Sequence, residues 1–315
     1  MNCLCCGKPL KNNNIYGWHK SCIKNFFNMD IIPELNLDKN TLEELTKTAT
    51  NNGITVTGVQ KKLSLHISSK SATPKLTIID YPTGYILKPP VKEYKSLPEA
   101  EHLVMSMAKY TGISTVPFAL LKSNNEFFYV TKRIDRIKET NTYRKIAMED
   151  FCQLSLKLTE DKYKGSYEQC AKIIQKYSSQ NLMDLSELYL RLLFCFIVGN
   201  SDMHLKNFSL IQNDDNKNLY ILSPAYDLLP VNLVLPEDIE QFALTLNGKK
   251  NNIKKNDFIK FAKNIGINEK AAIKMIEKIV SLKDKYIDMV NNSFLSDKMK
   301  NDFIELILSR YDAMF

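Results

Sequence analysis

The feature that most constrains this chain is an apolar run, Leu188 to Val198, broken only by Arg191 and ended by Gly199. Its composition predicts a buried helix that stops at the glycine. Directly after it come Asn200, Ser201, Asp202, Met203, His204, Leu205, Lys206 and Asn207. Polar groups beside a core are costly unless paired, hydrated or bound to a ligand. Asp202 and Asn207 stand in a D-x4-N spacing. A hairpin pattern follows: Phe208 to Gln212, a turn-rich Asn213 to Asn218, then Leu219 to Leu222. An antiparallel hairpin returns its ends to neighbouring positions, so Asp202, Asn207 and Asp227 are expected to converge. Hard oxygen donors of that kind suit magnesium, and through it a phosphate.

A second cluster lies at the other end. Cys3-x2-Cys6-x12-His19-x2-Cys22 offers three thiols and an imidazole, a tetrahedral ligand set for zinc. The alternative is a group of free thiols near a terminus. Zinc is preferred because so short a segment needs a staple. Four protein ligands leave no open position, so the metal is expected to be structural, with Cys5 as a spare. No basic region followed by an apolar one opens the chain, and no apolar segment is long enough to span a bilayer. Cysteines gathered in this way therefore imply metal ligation in a reducing cytoplasm, with no membrane partner. The net charge of +8 suits an anionic ligand such as a nucleotide, but equally a lysine-rich protein without one.

Between these clusters, alternation predicts strands over Leu63–Ile67, Lys75–Asp80, Tyr85–Lys88, Phe118–Lys122 and Phe127–Thr131. Glu101 opens an amphipathic helix running through His102 to Tyr110. From Glu149 the helical period dominates, over 149–158, 167–178, 185–198, 255–265, 268–291 and 296–311. The lysine-rich 249–255 stretch reads as a solvated loop before a helix capped by Asn256. The organisation expected is α+β: residues 1–28 as a Cys-rich segment, 29–135 as a mixed β lobe, and 136–315 as a helical lobe. Lys88 ends an apolar strand and must snorkel or pair. A strand lysine paired with a helix glutamate is how kinases hold the α- and β-phosphates. Taken alone, Lys88 and Glu101 read more simply as a surface lysine at a strand end and its neighbour.

The order of these parts is informative: strand lysine, helix glutamate, a hinge near 131–145, D-x4-N, hairpin, second aspartate. Around them stand Thr55-Val56-Thr57-Gly58-Val59-Gln60-Lys61-Lys62-Leu63, Ile86-Leu87-Lys88-Pro89, Pro98-Glu99-Ala100-Glu101-His102 and Arg133-Ile134-Asp135-Arg136. Glu149-Asp150-Phe151-Cys152-Gln153, the 199–207 stretch and Pro224-Ala225-Tyr226-Asp227 follow. In these residues the chain resembles the HipA-like serine/threonine kinases of bacterial toxin–antitoxin systems.

The resemblance implies a bilobal protein-kinase-like fold with a small zinc-knuckle-like extension in front. It implies ATP and Mg²⁺ as ligands, with Asp202 as the catalytic aspartate, Asn207 and Asp227 as magnesium ligands, and Lys88 as the phosphate-binding lysine partnered by Glu101. Lys132, Arg133 and Ile134 fall where the family contacts adenine, largely through backbone. His204 and Lys206 fall in the nucleotide-binding set, although His204 read by itself is a loop-fixing hydrogen-bonder rather than a metal ligand. Thr55 and Thr57 stand where the family autophosphorylates, commonly on serine; a phosphate there would add negative charge beside the nucleotide and disfavour ATP.

Full-length members begin with a further domain of roughly a hundred residues, whereas about 50 precede the loop here. The chain therefore resembles the shorter, HipT-like branch. The partners implied are a HipB-like helix-turn-helix antitoxin, DNA only through that antitoxin, a separate small HipS-like protein, and a protein substrate such as an aminoacyl-tRNA synthetase. The alternative is a kinase-shaped binding module or pseudokinase within an antitoxin–DNA complex. The presence of Lys88, Asp202, Asn207 and Asp227 together argues against it.

Overall fold

Alternating apolar residues pair into a six-stranded sheet in the first of two compact units, residues Met1–His102 with Val116–Lys145. The structure is a computed structural model that describes residues 1–11, 17–35, 62–68, 75–78, 84–139 and 143–314. Thr55 and Thr57 lie outside the described residues. The unit opens with helix α1 (Lys20–Phe27) and the short strand β1 (Glu34–Leu35). Strands β2 (Leu63–Ser68), β3 (Lys75–Ile78), β4 (Tyr85–Lys88), β5 (Phe118–Ser123) and β6 (Glu126–Lys132) complete the sheet, in the order β1-β3-β2-β4-β6-β5. Among the described residues of this sheet, only the β1–β3 pairing is parallel. Asn124 and Asn125 both take positive φ, 49° and 63°, the mirror-image turn whose twist matches that of the flanking strands. A small ribbon, β7 (Arg136–Lys138) with β8 (Tyr143–Lys145), follows the sheet.

Helix α1 stops at Asn28, which adopts the left-handed conformation with φ 55° and whose N–H is satisfied by Lys24. Its buried residues Phe26 and Phe27 meet Trp18 on one side and Tyr85 on the other, all at centroid separations of 5.4–5.9 Å. The N-terminal segment is thus packed onto the first residue of β4. Helix α2 (Leu97–Thr111) carries the fully buried Glu101 and the buried His102.

The second unit comprises Leu103–Thr115 and Ile146–Phe315. Strands β9 (Met148–Asp150), β10 (Ser209–Gln212) and β11 (Tyr220–Leu222) form an antiparallel sheet in the order β11-β10-β9. Around it lie α3 (Phe151–Leu154), α4 (Tyr167–Tyr177), α5 (Asn181–Ile197) and α6 (Val231–Val234). They are followed by α7 (Lys255–Asn264), α8 (Glu269–Ser281), α9 (Lys283–Asn291) and α10 (Asp297–Asp312). Every residue from Leu188 to Val198 is buried.

The helix expected over 149–158 is instead a strand followed by a single turn. Asp150 and Gln153 form a reciprocal capping box, which starts the helix at Phe151 and frees Met148–Asp150 to pair with β10. Leu156, at φ 54°, then ends it. The continuous helix expected over 268–291 is divided at Leu282. The cap of α7 is not Asn256: Asp257 closes the turn by accepting from the Lys254 N–H at 3.0 Å. Lys249 and Lys250 are anchored to Asp257 and Glu240, so the 249–255 stretch is held by ion pairs rather than simply solvated.

Two charged residues of α5 hold the hairpin. Asp184 accepts from the Leu222 N–H at 2.7 Å, from Ser178 at 2.6 Å and from Gln180 at 2.9 Å. Seven residues on, two turns along the same face, Arg191 donates to the Ser223 carbonyl at 2.7 Å and to Glu187 at 2.9 Å. Replacing Asp184 with alanine leaves the buried Leu222 N–H without its acceptor. The expected cost is about 2–3 kcal/mol, read as an earlier midpoint in denaturant titration followed by circular dichroism.

Candidate active site

The end of α5 builds the site by ordinary helix-termination chemistry. Gly199 takes φ 65°, its N–H reaches the Phe196 carbonyl, and the Asn200 N–H reaches the Cys195 carbonyl at 2.8 Å. This double closure needs a left-handed residue, and glycine supplies it without strain. A Cβ at position 199 would also stand 2.7 Å from Leu306 Cδ2. The chain turns sharply here and presents Asp202. The buried Asn200 carboxamide accepts from the Asp202 N–H at 3.2 Å. The Asp202 carbonyl in turn accepts from the His204 N–H and from Asn207 Nδ2, both at 2.8 Å. With its amide nitrogen so used, Asn207 has its carboxamide oxygen left as the ligand-capable atom.

The hairpin brings in the third residue. Ser223 N–H bonds the Ser209 carbonyl at 2.9 Å, and the Tyr226 hydroxyl donates to the Lys206 carbonyl at 3.1 Å while pairing with the Ser209 hydroxyl. Asp227 follows at φ 56°, close enough for its charge to raise the proton affinity of Asp202. The structure therefore brings Asp202, Asn207 and Asp227 together. Although its side chain is 39% exposed, the proton affinity of Asp202 is raised above that of an ordinary carboxylate. Surrounding protein displaces its hydration, with Asp227 and Asp238 adding repulsion, while the Tyr163 hydrogen bond and Lys162 oppose the shift.

Several positioning groups were not among the residues singled out from sequence. The Tyr163 hydroxyl donates to Asp202 Oδ1 at 2.7 Å, and its ring meets His204 edge-on at 5.0 Å. Asn232 donates its N–H to the Gly199 carbonyl and its side chain to the Asp238 and Glu240 carbonyls. Arg310 donates to Asn232 Oδ1, and Ser201 to Asp238. Arg191 alone carried a sequence signal, as the one charge in an apolar run. His204 is buried with Nε2 4.0 Å from Asp202 Oδ1, and Lys206 is paired with Asp150 at 2.9 Å.

In the first unit, Lys88 is 2% and Glu101 0% exposed, and they meet at 2.5 Å. The Lys88 ammonium also lies 5.2 Å from the centroid of the Tyr129 ring, its cross-strand partner. Lys88 is therefore a buried, paired cation rather than a surface residue. Lys132 donates to the Asn25 carbonyl at 3.2 Å, and Arg133 forms a bidentate pair with Asp135. Ile134 follows, half-buried, in the turn before β7.

Also in this unit, the Cys3, Cys6 and Cys22 sulfurs and a His19 ring nitrogen all lie within 4.8 Å of one another. His19 Nδ1 is 3.4 Å from Cys6 Sγ and 3.9 Å from Cys22 Sγ, while Nε2 is held by the Pro9 carbonyl at 3.1 Å. That outer bond assigns the proton to Nε2 and aims the Nδ1 lone pair at the thiols, the arrangement a metal-binding imidazole needs. Gly7, at φ 69°, closes the turn that carries Cys3 and Cys6 by donating to the Cys3 carbonyl. Three thiols and an imidazole so placed fit a tetrahedral zinc ion.

A family model described as the HipA-like C-terminal domain matches residues 54–286. A candidate kinase of Haemophilus influenzae is 29% identical over 338 residues, covering 96% of this chain and 93% of its own. The candidate kinases Y4mE and Y4dM of Sinorhizobium fredii are each 30% identical, over 56% and 69% of this chain. The chain spans only 42% and 54% of their lengths. Among solved structures, Shewanella oneidensis HipA, in a complex with HipB and its operator DNA, superposes with a TM-score of 0.69 at 19% identity. That match covers 83% of this chain and 65% of HipA. The Helicobacter pylori proinflammatory kinase CtkA gives 0.55 at 18%, covering 80% of this chain and 93% of CtkA. The fold is accordingly α+β and kinase-like.

Replacing Gly199 with alanine would impose both a left-handed alanine and the contact with Leu306. The expected loss is about 1–2 kcal/mol, measurable as a lower melting temperature and as faster amide exchange through residues 199–207.

Proposed function

This chain belongs to the HipA-like C-terminal domain family, and on that premise we propose that it is an ATP- and Mg²⁺-dependent serine/threonine protein kinase of toxin–antitoxin type. The observation that carries this reading is the gathering of Asp202, Asn207 and Asp227 beyond the end of α5, inside the family-matched span. Tyr163 engages Oδ1 of Asp202, so Oδ2 is the atom that takes the proton of the attacking hydroxyl. As the new oxygen–phosphorus bond forms, the bond from the γ-phosphorus to the ADP oxygen breaks. The raised proton affinity of Asp202 suits a group that must accept that proton. Asn207 and Asp227 would hold Mg²⁺, which when bound neutralises charge on the triphosphate. Lys88 takes the α- and β-phosphates, and Glu101 keeps its ammonium extended.

Lys132 and Arg133 already have side-chain partners, which favours adenine contact through the backbone of residues 132–134. His204 supports Tyr163 and Asp202, and Lys206 braces the loop against Asp150. Autophosphorylation of Thr55 or Thr57 rests on the family resemblance alone. Cys3, Cys6, His19 and Cys22 would hold a structural zinc. The Shewanella HipA complex with HipB and DNA supports a HipB-like antitoxin as partner, with DNA reached through it. A HipS-like small protein and an aminoacyl-tRNA synthetase substrate follow from the family.

Transfer of labelled γ-phosphate tests the assignment. Asp202→Asn and Asp227→Asn should each lower transfer by about 10²–10⁴-fold, and equal labelling by either variant would falsify it. Tyr163→Phe should cost about ten- to a hundredfold, the worth of a hydrogen bond to a charged group. Metal analysis of gently purified protein should give about one zinc per chain; a value well below that retires the zinc site. ATP titration with and without Mg²⁺ separates an active kinase from a binding module.

A further inference from the structure

The metal-ligand cluster is built into the support of Lys88. Leu120 lies on the sheet's edge strand, opposite Tyr129. Its N–H bonds the Leu4 carbonyl at 2.8 Å, and its carbonyl accepts from the Trp18 indole at 3.2 Å. Leu4 lies between the ligands Cys3 and Cys6, and Trp18 directly precedes His19. The loop that gathers the ligands therefore satisfies the open edge of the sheet at Leu120. Tyr129 is also the cross-strand partner of Lys88 and lies under its ammonium.

A second connection runs through α2. His102 Nε2 donates to the Cys5 carbonyl at 3.3 Å. Its ring meets Phe118 edge-on at 5.5 Å, and Phe118 stacks on Tyr129 at 6.2 Å. The preceding residue is Glu101, whose carboxylate holds Lys88. Adjacent residues on a helix point about 100° apart. One turn of α2 therefore reaches the ligand loop with His102 and the phosphate lysine with Glu101. A third connection is α1, which contains Cys22 and seats Phe26 and Phe27 on Tyr85, the first residue of the Lys88 strand.

We propose that the metal bound by Cys3, Cys6, His19 and Cys22 sets the position of Lys88, with His102 as the positioning residue, so that nucleotide affinity depends on metal occupancy. This rests on the zinc and kinase readings above. Without the metal, the three thiols and the imidazole lose what holds them together, and the loop carrying Leu4 and Cys5 loosens. The bonds it makes to Leu120 and His102 weaken with it. Lys88 and Glu101 are buried in their packed surroundings, so a small shift of β4 or α2 misplaces the ammonium. The cluster then acts as a metal- and thiol-sensitive control on ATP binding.

The test is binding of mant-ATP with Mg²⁺, alongside zinc content and circular dichroism, for the full chain as purified, after chelation and after reloading. Depletion should weaken binding about tenfold, a coupling of the size neighbouring residues show, and reloading should restore it. His102→Phe keeps the ring packing and removes the bond to Cys5; it should weaken binding comparably with zinc content unchanged. His102→Gln, which can still donate, should stay near the parent. In a Lys88→Met background, assayed at raised concentrations, neither depletion nor His102→Phe should weaken binding further.

Unchanged affinity in depleted, folded protein, or in zinc-loaded His102→Phe, overturns the inference. So do losses that persist in full in the Lys88→Met background, since these mark general destabilisation. Should depletion unfold the chain, the His102→Phe result decides. Protein that binds mant-ATP but never zinc sinks the metal reading and this inference, leaving the kinase reading intact. Protein that binds zinc but no nucleotide sinks the inference together with the kinase reading.

Discussion

The guanidinium of Arg191, 1% exposed in the middle of an apolar helix, is the interaction on which the second unit depends. Burying a charge is expensive unless its donors are used, and removing one partner of such a pair costs about 3–5 kcal/mol. Net stability of a domain is only about 5–15 kcal/mol, so this single arrangement is a large part of it. Arg191 uses its donors on the carbonyl of Ser223 and on Glu187, which also accepts from the Ser114 N–H. Asp184, two turns earlier, takes the N–H of Leu222. The hairpin exit is thereby tied to the helix whose far end presents Asp202. Helix and hairpin are the two arms that bring Asp202 and Asp227 to one place.

The loop between them is braced from outside as well. Asn232 ties Gly199 to the 238–240 segment, and Arg310 of the last helix holds Asn232. An acidic pair such as Asp202 and Asp227 repels itself, which raises the proton affinity of Asp202 and would spread a loosely held loop. Hydrogen bonds made directly to Asp202 by the neutral Tyr163 and Asn207 side chains fix its geometry without cancelling the charge that a cation needs. The first unit solves a related problem differently. Lys88 is buried, so its charge is compensated in place by Glu101 and the Tyr129 ring. The strand that carries it is covered at its start by the aromatic residues of the N-terminal segment.

Much of this was legible in the residues because it is local. Eleven apolar-run positions closed by glycine can hardly be anything but a buried helix and its cap. The D-x4-N spacing followed by a hairpin predicted that its two ends would meet. The x2 spacings around Cys3, Cys6, His19 and Cys22 marked out the ligand set that the structure gathers. Where periodicity misled, a local competitor won: the Asp150–Gln153 capping box turned the start of a helical pattern into a strand, and Asp257 displaced Asn256 as the residue that closes the start of α7. Lys88, which by itself reads as a surface lysine, is buried because α2 returns Glu101 to it from thirteen residues away.

The sequence by itself determined the apolar patterns, the caps and turns, the ligand spacings and the motif order that marks the family, since each depends on neighbours along the chain. Tertiary structure alone decided which distant groups satisfy the buried polar atoms. Tyr163 on Asp202, Arg310 on Asn232 and His102 on Cys5 join residues 39, 78 and 97 positions apart. No spacing rule reaches so far, because such pairings are set by the packing of whole elements, in which a buried donor accepts whichever partner the completed core brings within reach. The polar patch after the apolar helix was visible from the start; the tyrosine that aims its carboxylate and the asparagine that holds its glycine were not.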